Sequence, residues 1–404
     1  MSPELEQRLA QLSGAEVAVV MPALTTTESL REAVALVRRA LDGLAPENRT
    51  VVAHPDGALA DPAHPTDGAV LLPLPFGAMN GFPGPGQHLA EMYRAVFRLS
   101  HRLGVRACAL VGSDPALLSA DALRRLVAPV LEQNFDLITP LYLRGRFEGL
   151  LLSAVVAPLV RALYGRRILF PLGADVGMSS RLVERQLALP PAGRDGLPVW
   201  LPTDAVCAGL QVGQAQLGIP LPVRRDPPEV SEVLVQVLGP LFLDLERNAA
   251  SWQKVRGSQS VPVFGPARWL VDEPGTVEVG RMIDTFRLGY RDLQGLWSGV
   301  LPPATLVELK RLTVPAPAFR LPDELWARIV YDFALAHRLR IMSRDHLIRA
   351  MTPLYLAWVA SYADEVATAL PLGVEYRLEQ VGAAFEAQKP YLVSRWRWPD
   401  RFIP

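Results

Sequence analysis

Apolar runs the length of a β-strand alternate with amphipathic stretches of helical period through the first half of this chain. That alternation narrows the possible folds more than any other feature of the sequence. AEVAVVMPAL (15–24) reads as a buried strand. ESLREAVALVRRAL (28–41) follows as a helix, with the hydroxyls of Thr25, Thr26 and Thr27 available as N-caps. RTVVAHP (49–55) and GAVLLPLP (68–75) read as further strands, and the glycine–proline loop NGFPGPGQHL (80–89) opens onto the helix AEMYRAVFRLSHRLG (90–104). The strand in ACALVGSDP (107–115), the helix ADALRRLVAPVLEQ (120–133) and the strand FDLITPLYL (135–143) continue the series. Strands and helices in this order predict an α/β fold with a mostly parallel, doubly wound sheet. Right-handed crossovers would bring the strand ends to one edge, where open α/β sheets bind ligands. Gly112-Ser113-Asp114 falls at that edge.

After residue 229 the strand pattern stops. The segments 229–255, 277–300, 322–340, 344–370 and 377–388 read as helices, separated by proline-rich joints at 226–228, 262–266 and 315–322. The expected organisation is therefore an α/β domain at 13–229 and a helical domain at 230–404, with a short helix at 2–12 preceding them. The aromatic residues Trp326, Tyr331, Phe333, Tyr355 and Trp358 lie at helical spacing and read as core.

The 404 residues are half hydrophobic and carry no net charge, which argues against a nucleic-acid surface. Cys108 and Cys207 stand in apolar surroundings and read as small buried hydrophobes, so neither a disulfide framework nor a cysteine metal site is expected. The polar amphipathic start is unlike a secretory signal. The longest apolar stretch, GLLLSAVVAPLVRALYG (149–165), is short for a membrane span, broken by Pro158 and charged at Arg161. A cytoplasmic protein is the expectation.

Six segments together carry a family likeness: VVMPALTTTESL (19–30), GPGQHLAEMYRAVF (84–97), LVGSDPALLSADALRRLVAPVL (110–131), the long run 135–182 containing PLGADVGMS, LPTDAVCAGLQVGQAQLGI (201–219), and the helical tail with LPDELWARIVYDFALAH and MTPLYLAWV. In order and spacing they resemble the retaining GT-A glycosyltransferases around mannosylglycerate synthase and glucosyl-3-phosphoglycerate synthase. The resemblance implies a Rossmann-like GT-A domain with a helical C-terminal domain. It implies transfer of a hexose, with retention, from a nucleotide-diphosphate sugar to a small polar acceptor such as a glycerate or phosphoglycerate, and a possible homo-oligomer. By the same likeness Pro22, Ala23 and Leu24 would hold the donor base, with Ser113, Gln87 and Gly173 also on the donor.

Several motif positions depart from that family. Asp114 matches the final acid of an Asp-x-Asp motif, which would bind Mg²⁺ or Mn²⁺ behind the donor diphosphate. The first acid of the motif is replaced by Gly112, and the second metal ligand, a histidine, has no counterpart in GIPLPVRRDPP (218–228). That stretch offers Arg224 and Arg225, which can grip a phosphate but not ligate a cation. Either the arginines replace the metal, or the site has decayed, or they are two solvated charges. Asp114 reads equally as a turn or helix cap, with Ser119. Pro85 stands where the family has a lysine between glycines, followed by Gln87 and His88 at a helix N-terminus that favours anions.

PLGADVGMS (171–179) reads as a loop, which the resemblance would place beneath the transferred sugar. Gly173 and Gly177 would permit close backbone approach there, and by the same resemblance Asp175 would meet sugar hydroxyls; the structural alternative is a tight Asx-turn. Asp204 reads as an acceptor-side acid or, preferably, as the N-cap of a helix over 205–218, with Thr203 as its competitor. Arg144, Arg146, Arg166 and Arg167 read mostly as solvated charges. Two other functions stay open: a catalytically silent relative that binds a nucleotide or a partner, and a nucleotidyltransferase. The latter would need a basic residue in the first turn, and PALTTTESL has none.

Overall fold

A computed structural model describes residues 14–398 except 25, 47–48, 56–69, 75–86, 191–197, 223–228, 273–274 and 317. The helix expected at 2–12, Thr25, Pro85, Arg224 and Arg225 lie outside the described residues, and so do the side chains of Gln87 and His88. The strands are β1 (Val17–Val20), β2 (Thr50–Pro55), β3 (Val70–Leu74), β4 (Ala107–Val111), β5 (Leu137–Leu143), β6 (Arg166–Arg167), β7 (Asp175–Ser179), β8 (Val212–Pro220), β9 (Gln259–Ser260) and β10 (Val263–Phe264). Eight of them form one sheet in the order β10-β8-β5-β7-β4-β1-β2-β3. Every pairing in it is parallel except those of β7, which runs antiparallel between β4 and β5. The fold class expected from the sequence, a doubly wound and mostly parallel α/β sheet with a helical C-terminal region, is the one observed.

Every residue of β1, β2, β4 and β7 is buried. Successive side chains of a strand point to opposite faces, so both faces of the central sheet are covered. The helices Thr27–Leu41 and Ala120–Glu132 pack on one another, as do Gln87–Leu103 and Ser180–Ala188. Thr26 caps the first of these by a reciprocal box: its hydroxyl accepts from Ser29 N–H at 3.1 Å while Ser29 Oγ accepts from Thr26 N–H at 3.2 Å.

Three expectations are corrected here. Residues 175–179 are not loop but the strand β7, paired on both sides. Its sequence DVGMS has only two large apolar residues, because Gly177 must be small: a Cβ there would lie 1.9 Å from the Leu126 carbonyl oxygen of the covering helix. The helix expected over 205–218 is instead Trp200–Cys207, ended at Gly209 with φ +72°, followed by the strand β8. Thr203 and Asp204 are therefore helix-interior residues rather than N-caps; Thr203 Oγ1 donates to Val199 O at 3.1 Å. Strand structure also continues past residue 229, in β9 and β10.

The chain divides into two compact units that interleave in sequence. One holds the eight-stranded sheet and takes in residues 1–143, 172–227 and 261–269; the other takes in 144–171, 228–260 and 270–404. From the sequence, a single boundary is expected at 229/230. The chain crosses more often because 144–171 is an apolar helical excursion and because β10 returns to pair with the edge strand β8.

The helical unit is built round aromatic side chains. Trp358 stacks between Tyr362 (5.2 Å between centroids) and Trp326 (6.3 Å), and Trp326 Nε1 donates to Ala154 O at 2.9 Å. Trp326, Tyr331, Phe333, Tyr355 and Trp358 are all buried, as expected. Arg144, expected among the solvated arginines, is buried. Its Nη1 donates to Glu148 O at 2.5 Å and Gly149 O at 3.2 Å, and burial pushes its guanidinium down to about 10. The apolar run 149–165 forms π-helical stretches, Leu152–Val156 and Val160–Tyr164, about a single α-turn. Among the described residues no helix is long and apolar enough to cross a membrane.

Candidate functional site

Strand β1 lies between β2 and β4, so the chain departs from the sheet centre in opposite directions. Such a switch point leaves a crevice beyond the C-terminal strand ends. Two turns flank it. After β1, Met21 N–H donates to Ala53 O at 2.9 Å, and Pro22, Ala23 and Leu24 turn the chain towards Thr26. Pro22 and Leu24 are buried and Ala23 is half-buried. After β4 come Gly112, Ser113 and Asp114. Because β7 is antiparallel, its first residue, Asp175, is registered against Val111 at this same edge.

The β4 tip and the first residue of β7 thus meet at this edge as a sealed cluster. Asp175 is 0% exposed. Its Oδ1 accepts from Ser113 N–H at 3.0 Å, and its Oδ2 accepts from Ser113 Oγ at 2.5 Å and from Tyr142 Oη at 2.6 Å. Tyr142, near the end of β5, also accepts from Ala174 N–H at 3.2 Å. Burial pushes the Asp175 carboxyl above its ordinary range, and the hydrogen bonds from Ser113 and Tyr142 pull it back in part. The phenols of Tyr142 and Tyr93 are driven well above theirs by burial and then by the charge of Asp175.

Gly112 has a packing cause. Its N–H donates to Ala174 O at 3.1 Å, and a Cβ at 112 would lie 2.8 Å from that oxygen and 2.9 Å from Ala174 Cβ. No acid fits at this position without moving β7. Gly173 is small for a similar reason: its Cβ would lie 2.1 Å from Pro140 Cγ. The close approach expected at Gly173 and Gly177 is thus to Pro140 and Leu126.

Asp114 is exposed, and its Oδ1 accepts from Ala116 N–H at 3.0 Å, capping the 3₁₀ turn Pro115–Leu117. Ser119 caps the next helix, accepting from Ala122 N–H at 3.1 Å. Asp204 sits inside the helix Trp200–Cys207 at 8% exposure. These positions do not fit a divalent cation. Asp114 is a single acid engaged as a cap, and both oxygens of Asp175 are taken. Among the described residues no group of three or more His, Cys, Asp and Glu can hold a metal. Tyr142 escaped the sequence reading. Its signal was a phenol in the aliphatic strand LITPLYL, which must find a polar partner once buried.

No protein-family model matches the chain, and no curated protein matches it. Among solved structures, a mycobacterial protein is similar at 21% identity over 60% of this chain and 77% of that one, with a TM-score of 0.37. Mannosyl-3-phosphoglycerate synthase from Rubrobacter xylanophilus is similar at 17% identity over 61% of this chain and 79% of that one, also with a TM-score of 0.37. Likenesses this loose carry no argument about activity.

Proposed function

We propose that this chain is a glycosyltransferase-type protein that takes a nucleotide-diphosphate sugar at the C-terminal edge of its sheet and passes the hexose to a small polar acceptor such as a glycerate or phosphoglycerate. The observation that supports it is the switch point between β1 and β4, flanked by the turns Pro22–Leu24 and Gly112–Asp114. In the transfer, the bond from the anomeric carbon to the diphosphate breaks and a bond to an acceptor oxygen forms on the same face. The acceptor proton passes to the departing diphosphate. With no two-acid cation site among the described residues, this reading assigns the diphosphate's counter-charge to Arg224 or Arg225, whose guanidinium forks suit phosphate oxygens.

A second reading has its own support. Asp114 is a cap and Asp175 is shut away from solvent, as in a relative that keeps the scaffold and binds a nucleotide or a partner without turnover. Calorimetry with UDP-, GDP- and ADP-hexoses, with and without Mn²⁺, combined with chromatography of released nucleoside diphosphate in the presence of glycerate or phosphoglycerate, separates the two. Metal-independent binding with release, lost in Arg224→Ala or Arg225→Ala, supports transfer. Binding without release supports a silent protein that holds a nucleotide, and absence of binding by every donor removes transfer and supports a silent protein that binds a partner.

A further inference from the structure

The helices Asp323–Leu339 and Arg344–Arg349 are joined by a turn with two unusual features. Arg340 N–H donates to His337 O and Ile341 N–H to Ala336 O, each at 3.4 Å, the Schellman way of ending a helix. This puts Arg340 at φ +54°, where glycine is the unstrained residue. It also makes Ile341 the residue that ordinarily folds back on its own helix. Instead Ile341 is 48% exposed, next to Leu339 at 44%. The turn thus alternates exposed aliphatics with a strained, exposed arginine.

The end of the helix Pro371–Arg397 lies beside it. Arg338 donates to Trp396 O at 2.8 Å and stacks over the Trp396 ring at 4.6 Å. Just beyond, Arg397 is exposed and Trp398 is 59% exposed. The charges at this end are mainly positive: Arg338, Arg340, Arg344 and Arg397 against Asp345 and Glu246, the latter paired with Arg344 at 3.1 Å. His337 is buried against Phe242.

We propose that this end of the helical unit docks on an anionic lipid bilayer, with Leu339, Ile341 and Trp398 entering the headgroup layer and Arg338, Arg340 and Arg397 meeting lipid phosphates. Charge complementarity selects an anionic partner. The exposed aliphatics and tryptophan select a lipid surface, since a soluble polyanion gains nothing from them. The surface lies wholly within the helical unit and is independent of the transferase reading.

The test is co-sedimentation of the full chain with vesicles of phosphatidylcholine alone or mixed with phosphatidylglycerol. Binding is expected to the mixed vesicles only, weakening as salt rises. Arg340→Gly relieves the turn and should fold at least as well as the wild type, yet partition about five-fold less for the lost cation. Ile341→Ser should also weaken partitioning. The proposal is overturned if the wild type ignores anionic vesicles or if either variant sediments like it. It is also overturned if polyphosphate binds with a loss in Arg340→Gly and none in Ile341→Ser, which would assign the patch to a soluble polyanion.

Discussion

Replacing Gly112 with aspartate would rewrite Gly-Ser-Asp as Asp-Ser-Asp, and by motif logic that should restore a metal site. The geometry predicts loss of stability instead. A Cβ at 112 falls 2.8 Å from Ala174 O and 2.9 Å from Ala174 Cβ, and the oxygen is backbone tied to the 112 N–H at 3.1 Å, so it cannot rotate away. Overpacking of this kind costs about 1–3 kcal/mol, which is the expectation for Gly112→Ala. Gly112→Asp adds a carboxylate at a buried position beside Asp175, with no cation supplied. An uncompensated buried charge adds about 3–5 kcal/mol, out of a total stability of about 5–15 kcal/mol for a typical domain. At low pH the new carboxyl can be protonated, so the gap between the two variants should narrow between neutral pH and pH values near about 4. Urea midpoints by circular dichroism across that range, with Mn²⁺ calorimetry on the folded variant, give the readout. A Gly112→Asp protein with wild-type midpoint, or one that binds Mn²⁺ where the parent does not, would refute the steric account.

Two further outcomes follow from the same region. Asp175 has a folded pKa above its free value, so the folded chain holds that proton more tightly than the unfolded one. Stability from this group is fully present below the free carboxyl range and is lost as pH rises through the folded pKa. The stability difference between wild type and Asp175→Asn should therefore fall with rising pH over that window, and a difference that grows in urea midpoints contradicts it. Gly177→Ala would put a Cβ 1.9 Å from Leu126 O, where helix backbone must yield; a loss of about 3 kcal/mol or more is expected, with amide exchange in 120–132 accelerating.

The strands β1 to β5 were legible because each is an apolar run bounded by turn residues, and the helices because their apolar period is long. What escaped was set by contacts between distant residues. β7 is a central strand whose sequence, with Asp, Gly and Ser in five residues, looks like a loop. Its Gly177 answers to a helix 50 residues earlier, and its Asp175 to hydroxyls on β4 and β5. β8 was hidden by an ambiguity of pattern, since the apolar spacing in AVCAGLQVGQAQLG fits a helix until Gly209 takes a left-handed φ. Arg144 reads as a surface charge until its guanidinium is seen donating to two carbonyls. In the site, neither the meeting of Ser113 with Asp175 nor its closure by Tyr142 was legible, because both depend on β7 lying between β4 and β5.

The glycine at 112 and the buried acid at 175 have a common origin in β7. An antiparallel strand inserted between β4 and β5 delivers its first residue to the C-terminal edge of the parallel strands. Its approach to β4 is close enough to bond Ala174 O to Gly112 N–H, which removes the space an acidic side chain at 112 would need. The same approach brings the Asp175 carboxyl against Ser113, which meets it with both N–H and hydroxyl, so the acid at the β4 tip is internal and already hydrogen-bonded. Under the proposed transfer, a diphosphate arriving at this edge would find that acid sealed and no cation held by the turn. Its counter-charge must come from residues outside Gly112–Asp114, and for that reason the arginine substitutions, rather than changes to Asp114, are the informative ones for binding.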